Sequence, residues 1–121
     1  MSYLEKAQDL YAMIGQGQMA EAIDKYYADD ITLIEGNGDT FQGKETQKGR
    51  LVEWQSGIEE YYGGGVSSVT ANEEAGVTTV ESWTDLKMKG GERMKFEEVA
   101  VQNWEGDKIV RERFYFNAVG M

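Results

Sequence analysis

The sequence predicts an α+β fold in which a curved, mostly antiparallel sheet is wrapped by three N-terminal helices. Apolar residues recur at helical spacing through the first half of the chain and alternate with polar residues from Val66 onward. Helices first and strands last favour this layout, because parallel βαβ units would alternate along the chain. The 121 residues suit one domain, 1–121, with a core and one internal cavity.

The first two helices are marked by a cap and by apolar spacing. Ser2 and Glu5 have the spacing of a capping box, and Gly15 and Gly17 provide an end signal. A second helix should follow and stop near residues 28–30. The two apolar stripes are Leu4, Ala7, Leu10, Tyr11 and Ile14, then Met19, Ile23 and Tyr26.

A short strand and a third helix come next. Residues 31–35 are rich in β-branched side chains and predict a strand, and residues 36–39 predict a turn. The third helix should begin near Lys44 and end at the glycines 63–65, with its buried stripe formed by Leu51, Trp54, Ile58 and Tyr61 or Tyr62. Since no Gly-Lys-Ser follows these glycines, they predict a helix terminator and not a phosphate loop.

Four antiparallel strands should occupy the rest of the chain, with breaks at 72–76, 89–92 and 105–107. A three-residue loop, 90–92, would pair Met88 with Met94 and Leu86 with Phe96. A single bulge would invert face assignments beyond it. The inner faces are predicted to carry Thr78, Val80, Ser82, Thr84, Leu86 and Met88, then Glu98, Ala100, Gln102 and Trp104, then Val110, Glu112, Phe114 and Phe116.

The composition excludes several classes of function. A net charge of −10 disfavours nucleic acid and anionic membranes as partners. With no Cys and no His, thiolate nucleophiles, Ser-His-Asp triads and zinc sites of the usual ligands are excluded, so acid–base work falls to Asp, Glu, Tyr or Lys. We expect no cofactor and no metal, because no acidic loop has cation-binding spacing. No apolar run spans a membrane and no secretory signal is visible, so we expect a cytoplasmic protein.

Three strings, at residues 26–33, 41–45 and 106–111, resemble the nuclear transport factor two-like superfamily, which includes ketosteroid isomerases and SnoaL-like polyketide cyclases. The resemblance implies a cone-shaped barrel, open at one end, with the ligand inside, and a dimer. Ketosteroid isomerases use a carboxylate base, a tyrosine and a protonated acid. These three positions fall on Glu35, on Tyr11, and on Val99 or Ala100, and neither of the last two can donate a hydrogen bond.

Four residues are therefore candidates for catalysis. Glu35 follows Ile31 in alternation and would be a base with a raised pKa inside an apolar cone, unless it only begins the polar turn. Tyr11 would donate a hydrogen bond, unless it is an ordinary core tyrosine. Glu98 and Glu112 on inner faces could replace the missing donor, one kept neutral by the other's charge, unless a register slip exposes them or an arginine pairs with them.

We predict a pocket for a small hydrophobic molecule, with Leu33, Trp54, Phe96, Trp104 and Phe114 as ligand-binding residues. The predicted function is cofactor-independent acid–base chemistry of the isomerase, cyclase or hydrolase type. The alternative is a non-catalytic ligand-binding or dimerisation module of the same fold. Trp83, Val99 and Val101 on the outer sheet face predict a homodimer, unless they are scattered surface apolar residues.

Overall fold

The computed structural model describes residues 1–117 and confirms the α+β fold. Helices and strands follow in the order α1 (Tyr3–Gly15), α2 (Met19–Tyr26), β1 (Tyr27–Ile34), β2 (Thr40–Gln42), α3 (Lys44–Ser56), β3 (Ile58–Asn72), β4 (Val77–Met88), β5 (Arg93–Glu105) and β6 (Lys108–Phe116).

The described strands form one open six-stranded sheet in the order β2-β1-β6-β5-β4-β3. All neighbours are antiparallel except β1 and β6, which pair in parallel. The edge strands β2 and β3 do not pair with each other, so the predicted barrel is an unclosed sheet. Three register shifts along β3 mark bulges, which bend and twist a strand.

Helix α1 begins as predicted. The Ser2 hydroxyl accepts a hydrogen bond from the Glu5 amide at 3.1 Å, and the Glu5 carboxylate accepts one from the Ser2 amide at 2.9 Å. Helix α2 ends at Tyr26, earlier than predicted, because Tyr27 already pairs with Ile109 of β6. The edge strand β2 was not predicted. No helix within residues 1–117 has the length and apolar character needed to cross a bilayer.

The prediction for glycines 63–65 was wrong. Helix α3 ends at Ser56, and the three glycines lie inside β3, paired with β4. These glycines allow Trp83 of β4 to lie close to the backbone of β3. A Cβ on Gly65 would lie 3.1 Å from the Trp83 indole nitrogen, and one on Gly64 would lie 3.1 Å from the Trp83 carbonyl oxygen. The indole of Trp83 therefore covers bare backbone of the neighbouring strand, and this packing favours glycine there.

The predicted pairing of β4 with β5 was also wrong, by two residues. Leu86 lies opposite Met94 and Thr84 opposite Phe96, because five residues, 88–92, connect the last pair, Lys87 and Arg93, where three were predicted. A shift of two residues preserves the faces of both strands. The even residues of β4 and β5 therefore point inward, as predicted.

A bulge changes one assignment in β6. Asn103 pairs with Arg111 and Trp104 with Ile109, so Val110 is the extra residue between them. Ile109, which is fully buried, occupies the core place predicted for Val110. Beyond the bulge, Glu112 and Phe114 are buried as predicted.

Candidate functional site

A cavity of about 280 Å³ lies between the three helices and the inner face of the sheet. Sequence reasoning places seven of its lining residues at the site: Tyr11, Glu35, Trp54, Phe96, Glu98, Glu112 and Phe114. Its other lining residues are Ile14, Met19, Ile23, Tyr27, Gln47, Arg50, Leu51, Ser82 and Thr84. The wall is mainly apolar and aromatic, with acidic side chains from β5 and β6.

Two residues predicted to bind the ligand lie elsewhere. Leu33 is fully buried in the hydrophobic core, and Trp104 packs edge-on against Tyr26, with ring centroids 5.7 Å apart. Their inward direction was right. Trp104 packs against Tyr3 of α1 and Tyr26 of α2, and Leu33 is covered within the core beside Glu112, so neither side chain reaches the cavity.

Glu112 is buried deep in the cavity wall, 1% exposed, and its carboxylate is held by two neutral donors. The Tyr27 hydroxyl donates to one oxygen, and the Gln102 amide nitrogen donates to the other at 2.8 Å. Burial raises the pKa of Glu112 to about 7, and the Tyr27 and Gln102 hydrogen bonds oppose this rise. The carboxyl is thus ready to titrate near neutrality.

Glu98 lines the same cavity as Glu112, but it lies opposite Phe116 of β6, whereas Glu112 lies opposite Gln102 of β5. Its carboxyl makes no hydrogen bond within residues 1–117. Burial, followed by the negative charges of Glu112 and Glu35, raises the pKa of Glu98 to about 8. Ala100 is 1% exposed and faces the core, whereas Val99 faces outward. The carboxyl at this part of β5 is therefore supplied by Glu98, two residues before the Ala100 position to which the resemblance pointed.

Two buried tyrosines, Tyr11 and Tyr27, line the same cavity as Glu98 and Glu112. Burial, with a further contribution from Glu112 and Glu98, raises the pKa of Tyr11 well above its usual value. The same causes raise the pKa of Tyr27. Both hydroxyls therefore stay protonated and remain hydrogen-bond donors.

Glu35 lies at the cavity wall but is paired. Its carboxylate accepts a hydrogen bond of 2.6 Å from Arg50 of α3, which also donates to Gln47 at 2.9 Å. The Arg50 guanidinium lies 3.8 Å from the centroid of the Phe41 ring. The isolated carboxylate expected from the sequence is thus an ion pair, because α3 places an arginine against the end of β1.

Sequence reasoning missed Tyr27, Gln47 and Arg50 as site residues and assigned Gln102 only an inner face. Tyr27 is buried like Ile31 and Leu33, but Asp29 between them is exposed and the pairing with β6 shifts between Tyr27 and Thr32, so alternation does not extend to Tyr27. Arg50 has no periodic signal either, because its contact with Glu35 depends on how α3 packs. Within residues 1–117, no group of three or more acidic side chains converges as a metal site.

The sequence matches the family model described as SnoaL-like domain over residues 1–116. A crystal structure from Mesorhizobium loti, provisionally described as a SnoaL-like polyketide cyclase with the bracketed note carbohydrate phosphatase, is 32% identical. The match covers 95% of this chain and 99% of that one, with a TM-score of 0.84. No match was found among curated proteins.

Two further solved structures share the fold. An NTF2-like protein from Anabaena variabilis is 24% identical, with a TM-score of 0.76, and the match covers 97% of this chain and 90% of that one. A provisionally named isomerase from Bacillus subtilis is 16% identical, with a TM-score of 0.78 and the same coverage of both chains.

Proposed function

The chain belongs to the SnoaL-like domain family, and on that premise we propose that it catalyses acid–base chemistry, without a cofactor, on a small apolar molecule in the cavity. The observation that carries the proposal is that two carboxyls, Glu98 and Glu112, line an apolar cavity, where burial raises the pKa of each towards neutrality. A general base works best when its pKa lies near the operating pH.

Glu98 is the proposed base. Its carboxyl borders the cavity and has no hydrogen-bond partner within residues 1–117, so an ionised Glu98 is free to take a proton from a carbon next to a carbonyl group. The Tyr11 hydroxyl would donate a hydrogen bond to the carbonyl oxygen as negative charge develops there. Return of the proton from Glu98 to a different carbon completes an isomerisation, with no net change in protons.

Glu112 has a different proposed role. With hydrogen bonds on both oxygens, its negative charge is fixed in place and raises the pKa of Glu98. Glu35 and Arg50 line the cavity as an ion pair, so in this proposal Glu35 is a wall residue and Glu98 is the base. Trp54, which is 38% exposed, marks the open side.

The test is isomerisation of cyclohex-3-en-1-one to its conjugated isomer, followed by ultraviolet absorbance. We expect kcat/KM to rise with pH through an apparent pKa of about 8, as Glu98 ionises. Glu98→Gln should lower kcat/KM by about 100-fold or more, the usual contribution of a general base. Glu112→Gln should move the profile to lower pH, because the neighbouring negative charge is gone.

The control is Glu97→Gln, which makes the same change on the exposed outer face, one residue away. Equal activity of Glu98→Gln and the wild type would exclude Glu98 as the base. Binding of small ketones without turnover by the wild type would instead assign the cavity to a non-catalytic ligand-binding protein.

A further inference from the structure

The charges around the cavity do not balance. Glu112 is buried, but its partners Tyr27 and Gln102 are neutral, and within residues 1–117 neither Glu98 nor Glu112 forms an ion pair. Arg50 is the one cationic residue among the described lining residues, and Glu35 already pairs with it. A buried carboxyl without a cationic partner either holds its proton or receives a positive charge from a bound molecule, and within residues 1–117 no lining residue supplies that charge to Glu98 or Glu112.

A hydrogen-bond chain fixes Glu112 as an acceptor of hydrogen bonds. The Trp104 indole can only donate, and it donates to the Thr78 hydroxyl at 2.8 Å. Thr78 in turn donates to the Gln102 carbonyl oxygen at 2.6 Å, which directs the Gln102 amide nitrogen at Glu112. Because Tyr27 donates to the other oxygen, both oxygens of Glu112 are surrounded by donors that favour the carboxylate form.

The rest of the wall suits a cation with an apolar body. Aromatic faces attract cations through the ring quadrupole, most strongly where water is excluded. Apolar side chains from α1 and α2, among them Ile14 and Ile23, supply the surface for a hydrocarbon portion. The aromatic lining residues are Tyr11, Tyr27, Trp54, Phe96 and Phe114.

We infer that the cavity binds an organic cation, an ammonium group on an apolar body, with its charge beside Glu98 and Glu112 and its body against the aromatic wall. The inference rests on the proposed function in that it names the substrate class for the same cavity. A cationic substrate would also ionise the base that acts on it, because a positive charge beside Glu98 lowers the pKa of that carboxyl.

Binding should therefore depend on pH. The charged or titratable groups that line the cavity around Glu98 are Glu112 from β6, Tyr11 from α1, Tyr27 from β1, Glu35 just after β1 and Arg50 from α3. The raised pKa values keep both tyrosines protonated, whereas Glu98 and Glu112 change charge between pH 6 and 9.

The experiment compares two probes of nearly the same shape, phenyltrimethylammonium and tert-butylbenzene, by NMR titration of the full chain. The quaternary cation has no proton of its own, so any pH dependence belongs to the protein. We expect the cation to bind at least tenfold more tightly than the neutral probe at pH 8.5. Its affinity should rise on the order of tenfold from pH 6.5 to 8.5, as the binding-competent ionised form becomes populated.

Variants of the two carboxyls test whether they provide the negative charge that binds the cation. Glu98→Gln and Glu112→Gln should each weaken cation binding tenfold or more and leave tert-butylbenzene binding within twofold, whereas Glu97→Gln should change neither. Equal affinity for both probes at every pH would overturn the cation inference and leave the cavity as an apolar ligand site. Absence of binding by either probe, together with no isomerase activity, would overturn both proposals.

Discussion

Glu98 and Glu35 are both acidic residues at one cavity, yet their surroundings differ. Arg50 supplies Glu35 with a positive charge at 2.6 Å, whereas Glu98 has only the negative charges of Glu112 and Glu35 nearby. An isolated buried carboxyl responds to desolvation by holding its proton. The two carboxyls therefore differ in the charge of their neighbours, and not only in their exposure to water.

We predict that Glu98→Gln stabilises the fold at neutral pH. The pKa of Glu98 is raised from 4.5 to about 8, so the folded state binds a proton more readily than the unfolded chain. Ionised Glu98 therefore lowers the free energy of unfolding. This loss of stability is absent in acid, grows as pH rises above the pKa of Glu98 in the unfolded chain, and levels off above its pKa in the folded state. At pH 7 Gln should gain on the order of 3 kcal/mol in the free energy of unfolding.

Urea unfolding of both proteins between pH 4 and 9 measures this difference. At pH 4 the two curves should coincide, since both side chains are then neutral. Glu97→Gln, on the exposed face, should follow the wild type throughout. A difference that does not change with pH would mean that Glu98 is not the source of the titration.

How far the site could be predicted from the sequence is clearest at single residues. Alternation along β5 and β6 placed Glu98 and Glu112 on the inner face, because side-chain direction in a strand follows from sequence parity. The Glu35–Arg50 pair and the core position of Trp104 could not be predicted in this way. Both depend on how helices pack against the sheet, and a contact between distant segments leaves no periodic signal.

Strands β4, β5 and β6 form a unit through a row of polar side chains. Trp104, Thr78, Gln102 and Glu112 are joined by three successive hydrogen bonds that cross from strand to strand on the buried face. A buried polar row of this kind is stabilising only when every member is satisfied. Removing one hydroxyl should therefore affect both the stability of the sheet and the titration of Glu112.

We predict that Thr78→Val destabilises the fold by about 2 kcal/mol, because it leaves the Trp104 indole and the Gln102 carbonyl oxygen unpaired at nearly constant volume. The Gln102 amide also loses the contact that orients it. The pKa of Glu112 should then rise above about 7, since a hydrogen bond that opposes the rise is weakened. Chemical unfolding measures the first effect, and carboxyl-carbon NMR titration the second.

Thr79→Val provides the matched control, because Thr79 is the next residue of β4, lies on the outer face and pairs with Val101. It should leave the titration of Glu112 unchanged. An unchanged Glu112 titration in Thr78→Val would show that the polar row is structural and does not set the charge of that carboxyl.

The order of helices and strands was predictable over most of the molecule, and the exceptions have physical causes. The capping box at Ser2 and the alternation of β4 and β5 are local signals, so they were reliable. The glycines 63–65 have the composition of a helix end, but their position in β3 depends on Trp83 from the next strand. The unclosed sheet likewise depends on long-range pairing, which no short segment specifies.

At the scale of the whole molecule, the outer face of the sheet has a partly apolar centre. Val99 lies opposite Tyr115, and Val101 lies opposite Arg113. Tyr115 is 49% exposed, and the buried Nε of Arg113 has no hydrogen-bond partner within residues 1–117. We propose that a second copy of the chain covers this face in a symmetric dimer, in which each surface meets its own copy.

Val101→Lys should convert the dimer to a monomer, because the symmetry of the interface places two new positive charges close together. Val101 suits this test better than Trp83, whose indole also covers Gly65 within the same sheet. Sedimentation velocity over a wide range of concentrations gives the mass, and thermal unfolding checks that the fold persists. Val52→Lys, at a residue of α3 that is 66% exposed, should leave the mass unchanged. A wild-type chain that sediments as a monomer at every concentration would rule out the dimer and leave the apolar centre as ordinary exposed surface.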